Sequence, residues 1–272
     1  NAGGIGIDLN ADNVTVNNGT TNASLPNYEM DFPVFTSAVL ANTTLTVAGY
    51  VGSAPSQSTF ASARVEIFKS DNDASGNGEG QTYLGYLTAD ASGNFSGSLT
   101  VSGLTSGDKI TGTATDGSNN TSEFGANFSI IVTYYSKGSL AVNTASNWNT
   151  KRDGTGTDAS SFGSTDTWVI QNTHSMTLTG TNTWNVGASG TVQIESGGSW
   201  TNSSSGAVTA GTVQVDNDGS YAHGTSNTLP GTTKSFGATS TVSYYGSTQT
   251  VEALTYGHLT IASAGTRTLG GN

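Results

Sequence analysis

The chain has 272 residues, with 19 Asp or Glu against 8 Lys or Arg, a net charge of −11, 37 Gly and no Cys. This balance excludes a nucleic-acid partner held through phosphates, because no cationic surface is there to release counterions; the missing Cys excludes a disulfide framework and thiolate metal sites. No apolar run reaches the ~20 residues of a membrane-spanning helix, so membrane insertion is not expected.

Residues 1–27 open with an apolar alternation at Ile5, Ile7 and Leu9 and then turn to Asn, Asp, Thr and Gly. They read as one strand over 3–9, the terminal coil of a β-helix, followed by a linker. Residues 28–131 carry seven short strands, at 32–40, 45–51, 64–68, 83–87, 94–99, 109–115 and 123–131, separated by Gly, Asn, Asp and Ser turns. That spacing predicts a β-sandwich of immunoglobulin-like architecture, without the Cys, Trp, Cys core of antibody domains.

Residues 132–272 change character. TVQIESGGSW from Thr191 and TVQVDNDGSY from Thr212 repeat one pattern twenty-one residues apart, and short apolar pieces recur between Gly, Ser and Asn turns. Each piece is too short to be stable alone, so the period predicts a parallel β-solenoid whose coils stack to share a core. The next similar piece, TVSY at Thr241, follows after twenty-nine residues. The excess over 221–234, with His223 and Pro230, reads as a corner insertion. Both chain ends read as cuts within a longer protein. The expected fold is all-β, an immunoglobulin-like sandwich followed by a parallel β-helix or solenoid.

Candidate chemistry is sparse. Asp71, Asn72, Asp73, Asn77 and Glu79 supply oxygen donors on a Gly-rich loop, a pattern that suits calcium; it meets the EF-hand spacing only in part, and the same residues also suit a long hairpin turn. Asp8, Asn10 and Asp12 form a second acidic set with the same two readings, and Asp116, Asn119, Asn120 and Glu123 a third. Glu195 and Asp216 share one repeat position, so a solenoid stacks them one coil, about 4.8 Å, apart. Such a pair can serve as acid and base at a glycosidic bond or form a surface ladder. The basic cluster Lys151, Arg152, Asp153 lies before the repeats. His174, His223 and His258 share no metal-ligand spacing and read as surface residues. Trp184, Trp200 and Tyr221 recur in the repeats, either as a face that stacks on sugar rings or as core.

Two resemblances rest on these residues. GIDLNADNVTVNN (6–18), FPVFTSA (32–38), the Asp- and Gly-rich stretch 65–85, TADASGNFS (88–96) and TATDGSNNTSEFG (113–125) resemble a module of large bacterial surface proteins. There it follows the last coil of a right-handed parallel β-helix. YYS (134–136), NWNT (147–150) and TDTWVIQNTHSMTLTG (165–180) are similar to the opening of solenoid arrays in long secreted adhesins. The resemblance implies a non-catalytic structural or adhesive segment at the bacterial cell surface or released from it. Its implied partners are other segments of the same protein, glycans, or further copies in a filament. A polysaccharide-binding or polysaccharide-degrading β-helix is the alternative.

Overall fold

The structure, a computed structural model, describes residues 5–71, 75–261 and 265–270. The chain divides into two compact units, Asn1–Ile131 and Val132–Asn272.

The first unit holds two antiparallel sheets. One has β1 (Pro33–Ala41), β2 (Thr44–Val51) and β5 (Asn94–Thr100) in the order β1-β2-β5. The other runs β4-β3-β6-β7, from β3 (Arg64–Ser70), β4 (Gly80–Thr88), β6 (Lys109–Thr115) and β7 (Phe128–Ser129). Alternate residues point inward, as a half-buried strand requires: Phe35, Ala38 and Leu40 on β1, Leu45 and Val47 on β2, Val65 and Ile67 on β3. Phe35 links the two sheets, with its ring 5.6 Å from Phe95 and 6.3 Å from Phe128.

Two expectations fail in this unit. The strand over 3–9 is absent from its described part, and residues 5–25 add no strand to either sheet. The strand expected over 123–131 shrinks to Phe128–Ser129, because Gly125 and Asn127 donate their N–H groups to the Gly112 and Gly76 carbonyls rather than to a continuous ladder.

The second unit is a parallel β-solenoid. Its first face stacks β8 (Ile131–Ser136), β10 (Thr167–Ile170), β13 (Thr191–Ile194), β16 (Thr212–Val215) and β18 (Thr233–Phe236), with β9 (Trp148–Asn149) antiparallel to β8. Its second face stacks β11 (Ser175–Leu178), β14 (Ser199–Asn202), β17 (Ser220–His223), β19 (Thr241–Tyr244) and β21 (His258–Ile261). On the third face β12 (Trp184–Asn185) pairs with β15 (Val208–Thr209), and β20 (Thr248–Val251) with β22 (Thr266–Leu269).

The register removes the expected corner insertion. Thr212 pairs with Thr233, and Ser220 with Thr241, so both faces advance by the same twenty-one residues as before. TVSY at Thr241 is a second-face strand and not the next copy of TVQV. The next copy is TKSF at Thr233, disguised because Lys234 occupies the inward position of Val213. Lys234 is tolerated there because Glu252 pairs with it at 3.2 Å, both side chains being largely buried.

The interior is filled by rings. Tyr134 stacks on Trp168 at 4.6 Å, Trp168 meets Trp148 edge-on at 5.5 Å, and Trp148 stacks under Trp184 at 5.6 Å. Trp184 meets Trp200 edge-on at 5.2 Å, Trp200 leads to Tyr221 at 4.8 Å, and the line ends through His223 on Tyr244. Trp148 donates its indole N–H to the Val142 carbonyl. The indole nitrogens of Trp168, Trp184 and Trp200 are buried with no oxygen or nitrogen acceptor.

Each ring contact of this kind contributes about 0.5–1.5 kcal/mol beyond area burial. Trp200, fully buried and touching rings of two adjacent coils, is the most exacting position. Trp200→Ala should cost about 3–5 kcal/mol, read as a lower midpoint for the solenoid transition in urea monitored by far-ultraviolet circular dichroism. Trp200→Phe should lose markedly less.

Candidate functional site

The repeat presents its chemistry outside the coil. Backbone N–H groups of Glu195 and Asp216 donate to the carbonyls of Ile170 and Ile194, so the two acids occupy one ladder position on adjacent coils, as the repeat predicts. Here they line an open groove of about 660 Å³ that crosses four coils, with Asn172, Gln214, Asn217 and Phe236 among its other walls.

Neither acid is left as a free pair member. Arg152, expected to stand apart before the repeats, folds its guanidinium onto Glu195, donating from Nη1 to Oε2 at 2.8 Å and from Nη2 to Oε1. Its cation lies 4.4 Å from the Tyr135 ring centroid. The bond from Glu195 leads the causes that raise the Arg152 pKa above its ordinary value. Asp216 accepts from two amides, Gln193 Nε2 at 2.7 Å and Gln214 Nε2 at 2.6 Å. Both glutamines occupy the third place of TVQI and TVQV, a repeated signal that sequence reasoning passed over in favour of the acids.

Trp184, Trp200 and Tyr221 do not form a sugar-stacking face. All three are at most 1% exposed and belong to the interior line of rings, because their alternation places them on the inward side of β12, β14 and β17. Phe236 is the aromatic that reaches the groove, stacked on Tyr256 at 5.4 Å with the ring planes 13° apart.

The acidic loops of the first unit are rearranged relative to the sequence grouping. Glu123 leaves the third set and joins the second: carboxylate oxygens of Asp8, Asp12 and Glu123 lie within 4.8 Å of one another, the one such group among the described residues. Glu123 is 1% exposed and accepts from Leu9 N at 2.9 Å, Thr15 N at 2.8 Å and Thr15 Oγ1 at 3.0 Å. Asp8 accepts from the N–H groups of Asp12 and Asn13, with Ala11 and Asn13 in the left-handed region. Asn10 sits half-buried on the same loop. Hard oxygen donors in this density suit a divalent cation, yet the donors described here already close the loop.

Asp116 forms a turn with its own neighbours, accepting from Ser118 N, Asn120 N and Asn120 Nδ2. Against a desolvation cost that raises it, those bonds bring the carboxyl below the usual carboxylate range. In the Gly-rich loop Asp71 Oδ1 accepts from Glu79 N at 2.9 Å, and Asn77 donates from Nδ2 to the Phe124 carbonyl. Asn72 and Asp73 lie outside the described residues. Asn127, which nothing in the sequence singled out, organises this loop by accepting from Ser70 Oγ and Gly78 N.

The histidines separate. His258 is exposed, and His174 shares a 2.7 Å hydrogen bond with Ser136 Oγ. His223 is not a surface residue: it is 1% exposed, 2.7 Å from the Asn227 carbonyl through Nε2 and 3.1 Å from Tyr221 Oη through Nδ1.

Among the described residues no helix is long and apolar enough to cross a membrane. No family model matches the chain, and no solved structure matches it.

Two measurements follow from these contacts. Burial lowers the His223 pKa below 6.5, opposed by the Asn227 carbonyl and the Glu252 carboxylate. The unfolded chain then binds the proton more readily, so this contribution to stability is complete above pH ~6.5 and is lost as pH falls toward the folded value. The solenoid melting temperature should drop on acidification through this window, and His223→Gln should flatten that drop. In the first unit Glu123→Ala leaves the Leu9 and Thr15 donors without their acceptor, at about 1–3 kcal/mol. Limited proteolysis should then cut within residues 5–17 well before any cut elsewhere in the unit.

Proposed function

We propose that this chain is a non-catalytic structural or adhesive segment of a large extracellular bacterial protein, in which a rigid solenoid rod follows an immunoglobulin-like spacer. The observation that carries this reading is the solenoid interior, filled by a continuous line of aromatic rings. A coil packed in this way makes the solenoid a stiff shaft, because close-packed interiors resist deformation.

The outer chemistry supports the same reading. A glycosidase needs one carboxyl free to give a proton and another free to attack or activate water. Glu195 is engaged by Arg152, and both oxygens of Asp216 accept from amides. A cell-surface setting is supported by the resemblance of 6–18, 65–85 and 165–180 to modules of bacterial surface proteins. Partners in this setting are further segments of the same protein, and the avidity of a rod comes from presenting several weak contacts together.

Incubation with a broad panel of neutral and acidic polysaccharides should release neither reducing ends nor unsaturated uronic acids. Turnover that disappears in Asp216→Asn would overturn the proposal and make the groove an active site.

A further inference from the structure

We infer that the groove along Glu195 and Asp216 binds a neutral, linear sugar chain lying parallel to the solenoid axis. The inference builds on the non-catalytic reading: the chain is held and not cleaved.

The first argument is the lining. Apart from Val215 and Gly237, every lining residue other than Phe236 ends in a short amide, carboxylate or hydroxyl group. Planar amides and carboxylates offer two hydrogen-bonding atoms side by side, which matches the paired hydroxyls of a pyranose ring. Phe236, half-buried at the ladder position of Val215 and stacked on Tyr256 at 5.4 Å, adds the one aromatic apolar contact at the end of the groove.

The second argument is repetition. Asn172, Ser196 and Asn217 follow the ladder positions of Gln171, Glu195 and Asp216 on successive coils. Polar groups thus recur along the groove at about 4.8 Å, close to the rise of one sugar unit in an extended chain. A polymer of identical units can meet a polar group on each of the four coils that line the groove.

The third argument is preorganisation and charge. Gln193 and Gln214 hold Asp216, and Arg152 holds Glu195, so the wall is ordered before a ligand arrives and little rotamer entropy remains to be lost. Arg152 neutralises one of the two carboxylates, leaving Asp216 to disfavour an acidic chain. The open lining has no deep apolar pocket of the kind that anchors a peptide side chain. The earlier sugar-stacking residues are buried, so this face is a different surface of the same repeats.

The test is isothermal titration of the whole chain with linear neutral oligosaccharides, namely α- and β-linked glucose, β-linked mannose and β-linked N-acetylglucosamine hexamers, with an oligogalacturonate as the acidic comparison. At least one neutral hexamer should bind, and its dimer should bind at least about tenfold more weakly. Ser196→Trp, placed at an exposed position to fill the groove, and Gln214→Ala should each weaken binding by about tenfold or more, with the melting temperature retained. The inference fails if no neutral chain binds at millimolar concentration, if Ser196→Trp binds as wild type does, or if the acidic chain binds equally well. Absence of binding leaves the structural-segment reading standing. Cleavage of a bound chain would overturn that reading while leaving the groove assignment intact.

Discussion

Everything regular in the solenoid depends on the rings at its centre. A coil of twenty-one residues has few apolar side chains with which to fill its cross-section, and most of its remaining residues are Gly, Ser, Thr and Asn. Four tryptophans, each at most 1% exposed, supply that volume in the first coils, and Tyr221 and Tyr244 continue it. Because each ring touches the ring of the next coil, the stacking distance and the rotational register are set from inside. The backbone ladders then follow.

That register decides what the surface can do. With Ile170, Ile194 and Val215 fixed as inward residues, the residues that follow them share one column: Gln171, buried beneath the Arg152 loop, then Glu195 and Asp216 at the groove. Arg152 reaches this column only because the loop after β9 folds back over the first face. An ionic pair forty-three positions apart in sequence is thereby made local. Where the aromatic filling gives way to polar groups, near His223 and the Lys234–Glu252 pair, the interior becomes sensitive to protonation and to loss of a partner charge.

In the first unit buried carboxylates play the organising role: Asp31 holds the N–H groups of Asn18 and Gly19, and Glu123 does more. Glu123 gathers Leu9 and Thr15 and so ties the strandless segment to the sheets. Its cost of burial is offset by two backbone N–H donors and one hydroxyl, the condition under which a charged group is tolerated inside a protein. The same contact draws Asp8 and Asp12 toward it, which explains why carboxylates from opposite parts of the unit converge.

Alternation and period alone determined a great deal. Strand positions β1 to β6, the change of architecture near residue 131, the coil period and the stacking of Glu195 over Asp216 were all legible, because each is a local or strictly periodic property. The tertiary structure decided the rest. Whether Trp184, Trp200 and Tyr221 faced inward or outward depended on the handing of each short strand to the core, which an aromatic residue at a strand position does not reveal by itself. The phase of the fourth coil was hidden because Lys234 stands where an apolar residue was expected, and only its partner Glu252 makes it an inward residue. Arg152 with Glu195, and Glu123 with Leu9 and Thr15, are contacts between distant segments. Local sequence specifies the donors and acceptors, while chain closure chooses which of them meet.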